Sequence, residues 1–228
     1  MHTSVGEYAR AKQMLSKPSD VNNGGTQGRE WMQRNWEPSF RCVADKRMGV
    51  PGDGGKWVCD PDCLLAVNDC TVFSVGSNNQ FDFEQSLDPY GCDVHIFDHT
   101  VANPRMPPHV AWTFHRFGAA TASGGNMLSL QGMAARSNVS YIDVLKIDCE
   151  GCEYTVLRDP ATLHFLREHV KQILVEVHFT NAADTADLAT KLAFAGFRVF
   201  SKEPNIQFSD GGCLEYSLLN LRRHPRSA

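Results

Sequence analysis

From residue 71 onward the chain alternates between two hydrophobic patterns. Compact apolar runs rich in β-branched and aromatic residues occupy 71–76, 93–97, 111–117, 144–147 and 173–179. Such short continuous runs predict strands buried on both faces. Between them, apolar residues recur at helical spacing over 81–87, 126–136, 153–157, 160–169 and 185–195. Pro160 suits the first turn of its helix and Gly196 terminates the last one. Two further strands, 197–201 and 214–221, flank a Pro/Asn/Ser/Gly-rich connection and predict a long-looped antiparallel hairpin. Strand-helix alternation requires crossovers, and crossovers give parallel pairing. The expected fold is α/β: a seven-stranded, Rossmann-like, mostly parallel sheet with an antiparallel C-terminal hairpin and helices on both faces.

The first 70 residues follow a different pattern. Residues 1–28 mix Gly, Asn, Ser and charge without a sustained period, which predicts a mobile arm with a helical turn around 8–15. A short helix is expected over 29–36. The glycine-rich stretch 49–57 reads as a turn cluster or a ligand flap. Residues 29–228 then form one domain, with 29–70 leading into a core sheet over 71–221. The length of 228 residues and the 42% hydrophobic content suit one substantial core.

The net charge of −4 supplies no basic field of the kind that draws nucleic acid or anionic membranes, so neither is an expected partner. No run approaches the roughly 18 apolar residues of a membrane span, and residues 1–30 do not read as a signal sequence. A soluble, cytoplasmic chain is the default expectation, with the secretory pathway as the alternative should a signal precede this sequence. Oligomeric state has no signature in the pattern.

Eight cysteines stand at 42, 59, 63, 70, 92, 149, 152 and 213. Cys59 with Cys63 resembles half of a zinc site, and Cys149 with Cys152 is a formal C-x-x-C. Neither has the second pair that a structural zinc requires, nor the surroundings of a redox motif. No metal site is expected from the cysteines; a metal bridging Asp148, Glu150 and His178 to a hydroxyl substrate is an alternative without a recognised spacing. Cys149 is expected to pack under the sheet and Cys152 to line the start of a helix. Cys42 and Cys59 could pair in an oxidising compartment, although spacing does not fix connectivity.

The chemistry concentrates at strand ends. The strand at 144–147 runs into an Asp-Cys-Glu-Gly-Cys turn at 148–152, which would place Asp148 and Glu150 in the crevice that open α/β sheets use for ligands. After the strand at 71–76, Gly76 would let the backbone approach a cofactor, while Ser77, Asn78 and Asn79 offer polar contacts. Without a G-x-G-x-x-G run, a dinucleotide is disfavoured. Asp98 ends the next strand about 20 residues after Gly76, where a carboxylate can accept both hydroxyls of a ribose. The alternative is that Asp98 caps the following turn.

The segments at 72–78, 94–98 and especially the Leu-Lys-Ile-Asp-Cys-Glu-Gly-Cys-Glu-Tyr run at 145–154 resemble the FkbM-type methyltransferases and related methyltransferase-like proteins of animals and algae. The Asp-Gly-Gly-Lys-Trp-Val-Cys run at 53–59 resembles the animal-type branch. The resemblance implies S-adenosylmethionine as donor, with Gly76 near its methionine part, Asp98 on its ribose and Asp148 near the transfer site. It departs from many methyltransferases at 77–79, where further glycines are common.

Methyl transfer from a sulfonium needs alignment and, for a hydroxyl acceptor, a base. Asp148, Glu150, Glu176 and His178 fall at adjacent strand ends and are candidates. His178 is the first choice as base because its ordinary pKa lies near working pH; a hydrogen-bonded structural histidine is nearly as good a reading. Lys146, inside an apolar strand, requires a carboxylate partner or a route to the sheet edge. Gly118 could border an adenine pocket. The expected activity is O-methylation of a small-molecule or glycan hydroxyl. The alternatives are a catalytically silent nucleoside-binding module and a nucleotide-dependent enzyme on a related sheet.

Overall fold

A computed structural model of the chain describes residues 31–222 apart from 33, 52, 66–68, 179 and 206–212. The arm at 1–28, its helical turn at 8–15 and part of the last hairpin connection lie outside the described residues.

The strands in chain order are β1 (Lys46–Met48), β2 (Lys56–Val58), β3 (Thr71–Val75), β4 (Asp93–Phe97), β5 (Thr113–His115), β6 (Gly118–Ala119), β7 (Met127–Leu128), β8 (Ile142–Ile147), β9 (Val170–His178), β10 (Phe197–Pro204) and β11 (Cys213–Asn220). The helices are α1 (Pro61–Leu64), α2 (Asp82–Gln85), α3 (Leu130–Arg136), α4 (Glu153–Val156), α5 (Pro160–His169) and α6 (Ala182–Ala195). Seven strands form one sheet in the order β10-β11-β9-β8-β3-β4-β5, parallel except for the two pairings of β11, which are antiparallel. The predicted α/β sheet with its closing hairpin is the sheet observed.

Every residue of β3 and β8 is buried, and their alternate side chains feed two cores. Phe73, Val75, Leu145 and Ile147 pack with Leu130 and Met133 of α3, Leu166 of α5, and Leu188 and Leu192 of α6. Val72 and Val144 point the other way, into Phe81, Phe83 and Leu87 around α2. Side chains in a strand alternate between faces, so a sheet covered on both sides must be apolar at consecutive positions.

Local signals set the helix ends. Asp159, Asn181 and Ser129 each cap a helix by accepting an N–H from the third residue on, and Gly196 closes α6 in the left-handed conformation at φ 110°. Two predicted elements were too long. The 111–117 run pairs with β4 only over Thr113–His115, because β5 is the sheet edge and has one neighbour. The helix predicted over 126–136 starts at Leu130; Met127 and Leu128 instead pair with Gly118 and Ala119 in a small parallel ribbon.

The cysteines correct the sequence reading. Cys149 and Cys152 form a disulfide rather than packing as free thiols, and Cys42–Cys59 and Cys70–Cys92 are bridged as well. A turn that folds back on itself brings the two sulfurs of Cys149 and Cys152 together, which strand-and-helix pattern does not reveal. No helix among the described residues is long and apolar enough to cross a membrane.

Candidate active site

The strand order reverses between β8 and β3, and the crevice beyond their carboxyl ends is where such sheets bind ligands. The ladder continues one residue past each strand: Gly76 N donates to Phe97 O at 2.9 Å, and Asp148 N donates to Val75 O at 2.8 Å. Only then do the loops part, around a cavity of about 640 Å³. Gly76, at φ 81°, lies so close to β8 that a Cβ there would stand 2.7 Å from the Asp148 carbonyl carbon and closer to its oxygen. Glycine is required here by both conformation and space.

Of the expected donor-binding residues, Gly76, Ser77, Asn78, Asp98 and Asp148 line this cavity. Asn79 is not among the lining residues; its side-chain oxygen accepts from Arg105 N at 2.9 Å. Asp98 is buried and ties two loops together. One of its oxygens accepts from Ser77 N at 3.0 Å and Asn78 N at 2.9 Å, the other from Thr100 N at 2.8 Å and Thr100 Oγ1 at 2.6 Å. Burial works against its charge, but these four donors outweigh it and hold its pKa below the ordinary value. Asp98 therefore caps the following turn, the alternative reading of the sequence, while still facing the cavity. Phe97, Ala119, Gly118 and Met127 add an apolar wall. A Cβ on Gly118 would meet the Met127 sulfur at 2.8 Å, so this wall is closely fitted.

Another part of the lining is acidic. Asp53, Asp148, Glu150, Glu176 and His178 all line the cavity, as do the bridged Cys149 and Cys152. Burial and the neighbouring Glu176 carboxylate raise the Asp148 pKa, against the pull of Lys56. Glu176 is lowered: burial opposes its charge, but Lys56 and a hydrogen bond from the Cys213 thiol favour it more strongly. Asn205 Nδ2 links Asp53, at 3.0 Å, with Glu176, at 3.2 Å.

His178 is engaged on both ring nitrogens. Nδ1 lies 3.2 Å from Glu153 Oε1 and Nε2 lies 3.2 Å from Glu150 Oε2. Burial would depress its pKa, but the bond to Glu153 and the surrounding carboxylates push it up to about 9. A protonated imidazole with both N–H groups directed at carboxylates has no lone pair to offer an acceptor. Glu153, fully buried, also accepts from Cys149 N at 3.2 Å, so it couples the histidine to the disulfide turn.

Sequence reasoning missed Lys56, Glu153, Asn205, Cys213 and Glu215. Lys56 and Glu215 are charges inside apolar strands, the signal already noted for Lys146. Lys146 does find its carboxylate, Glu84 Oε1 at 3.6 Å, and also contacts Gly76 O at 3.3 Å. Asp53, Asp148 and Glu176 each bring an oxygen within 4.8 Å of the others, but the Lys56 ammonium already lies against two of them and acts as their cation.

The cavity thus lies at the switch point of a Rossmann-like sheet, with apolar residues and a group of carboxylates in its lining. Residues 3–220 match the family profile described as "Methyltransferase domain". The chain belongs to that family. It is similar to human "Probable methyltransferase-like protein 24", at 28% identity over 120 residues, covering 48% of this chain and 32% of that protein. The rat protein of the same name is 29% identical over 125 residues, covering 50% and 34%. The chain thus spans about a third of the length of the curated relatives it matches. Among solved structures, Aeropyrum pernix fibrillarin with bound S-adenosyl-L-methionine aligns at TM-score 0.42 and 10% identity, over 81% of this chain and 86% of that one. The N-methyltransferase NodS of Bradyrhizobium japonicum aligns at TM-score 0.42 and 12% identity, over 69% and 88%.

Proposed function

We propose that this domain transfers the methyl group of S-adenosylmethionine to a hydroxyl of a small molecule or glycan, with Asp148 as the general base. The observation that carries this reading is the environment of Asp148. It emerges at the switch point beside Gly76, lines the cavity, and has a raised pKa because it is buried beside Glu176. A carboxylate whose pKa moves toward working pH is a better proton acceptor than an ordinary one. His178, charged and held by Glu150 and Glu153, then orients the acidic wall and stabilises its charge. The finer likeness to FkbM-type methyltransferases, carried by the run at 145–154, belongs to this proposal, as does the reading of residues 29–228 as one domain.

The same proposal includes an oxidising compartment. Three disulfides in one chain are rare in the reducing cytosol and common in the secretory pathway. This favours the secretory alternative over the cytoplasmic default and supports an acceptor found there, such as a glycan.

Incubation of the oxidised protein with methyl-labelled S-adenosylmethionine and a panel of free sugars, glycans and small polyols tests the reading. Label should appear in alkali-stable ethers. Asp148→Asn should cut transfer by about 10²–10⁴-fold, the usual contribution of a positioned base, while donor affinity changes little. Label on nitrogen, or an Asp148→Asn protein of unchanged rate, would refute it.

A further inference from the structure

The hairpin β1–β2 makes no strand pairing with the main sheet, yet its side chains are tied to it. Cys59 N donates to Gln172 Oε1 at 2.8 Å, Gln172 Nε2 donates to Cys59 O at 3.2 Å, and Trp57 Nε1 donates to Glu203 Oε2 at 2.9 Å. Between these ties, the Lys56 side chain is fully enclosed and runs in behind the acidic wall. Its Nζ lies 2.6 Å from Glu215 Oε1, 3.8 Å from Glu176 Oε2 and 3.9 Å from Asp148 Oδ2.

The three carboxylates come from neighbouring strands. Glu176 of β9 and Glu215 of β11 are directly paired across the antiparallel ladder, and Asp148 follows β8 on the other side of β9. Like charges directly opposite on adjacent strands repel, and burial strengthens the repulsion. One buried ammonium among them changes the balance. Asp148 and Glu176 line the cavity, whereas Lys56 and Glu215 do not, so the cation stabilises the wall from behind.

We propose that Lys56 is a positioning residue for methyl transfer: its ammonium holds Asp148 and Glu176 side by side on the cavity wall and fixes how the buried acids share their protons. The inference rests on the reading of Asp148 as base. The groups facing Asp148 are Lys56 from β2, Lys146 from β8, Glu176 from β9, Cys213 and Glu215 from β11, Asp53 from the turn between β1 and β2, and Glu150 with His178 at the cavity rim. Within this set Glu215 is pushed up to about 8 by burial and by Glu176, despite Lys56. Lys56 lies nearest Glu215, at 2.6 Å, and its charge favours the ionised form of all three acids.

The test needs no knowledge of the acceptor. Carboxyl carbons of ¹³C-labelled protein are titrated by NMR, with the Asp148 signal assigned from Asp148→Asn. Lys56→Met should raise the Asp148 midpoint by about 1–3 pH units, the shift expected when a neighbouring opposite charge is removed. Lys56→Arg should restore part of that shift, and Glu215→Gln should lower the midpoint. A purely structural lysine would lower the denaturation midpoint of Lys56→Met without moving the Asp148 titration, and that result overturns the proposal. Should Lys56→Met not fold, Glu215→Gln decides alone: an unchanged or raised Asp148 midpoint refutes the shared network. Failure of the base reading is separately visible as unchanged methyl transfer by Asp148→Asn.

Discussion

Gly76→Ala tests the geometry on which the whole site depends. Gly76 has φ 81°, and its ideal Cβ would stand 2.7 Å from the Asp148 carbonyl carbon, inside any normal contact distance. Two costs add. The left-handed conformation is unfavourable for alanine by about 1–2 kcal/mol, and forcing a methyl into a packed site costs about 1–3 kcal/mol. The neighbour is backbone, held by Asp148 N donating to Val75 O at 2.8 Å, so relief requires prying the ends of β3 and β8 apart. A destabilisation of about 2–5 kcal/mol is expected from the sum. The separation would also displace Ser77 and Asn78 from Asp98, so donor binding should weaken beyond what lost stability explains. Urea denaturation gives the first quantity, and calorimetric titration with S-adenosylmethionine well below the denaturation midpoint gives the second. A variant within about 0.5 kcal/mol of wild type, the range of ordinary surface changes, with unchanged donor affinity would refute the close approach of the two strand ends.

Two further outcomes follow from the electrostatics and the bridges. His178 has a folded pKa raised to about 9 from its ordinary 6.5, so its contribution to stability is fully present below about pH 6.5 and is lost as pH rises through about 9. Between pH 6.5 and 9.5 wild type should lose about 2–3 kcal/mol more than His178→Gln in urea denaturation, at 1.36 kcal/mol per pKa unit; parallel pH profiles would exclude the imidazolium. Replacing Cys70 and Cys92 together by alanine opens a bridge of sequence separation 22, and should cost about 3 kcal/mol by loop-closure entropy. A denaturation midpoint equal to wild type would mean that this bridge does not constrain the unfolded chain.

The sheet was legible because it depends on local pattern. Val72, Val94, Val144 and Ile173 sit in consecutive apolar runs, and a strand buried on both faces has no other way to satisfy its surroundings. Gly76, Asp98 and Asp148 were legible for a related reason: they stand at strand ends, and the alternation of strands and helices brings those ends to one crevice. What Asp98 does there was less legible. That its carboxylate accepts from Ser77, Asn78 and Thr100 depends on how two loops meet.

The rest of the acidic wall was decided only by tertiary structure. Lys56 and Glu215 are 159 residues apart and meet at 2.6 Å because an N-terminal hairpin folds under the last strand of the sheet. No period or motif encodes that contact. His178, a candidate base or a hydrogen-bonded structural histidine by sequence, is engaged on both ring nitrogens for the same reason: Glu153 and Glu150 reach it from a turn that begins 30 residues upstream, at Asp148. The Cys149–Cys152 bridge, inside that turn, depends on the fold-back at Gly151, with φ 108°, and on the Cys149 N–H held by Glu153. The sequence alone determined which strands form the main sheet and where their ends converge, because burial is periodic. Long-range charge pairing, which has no period, determined which groups share protons once they converge.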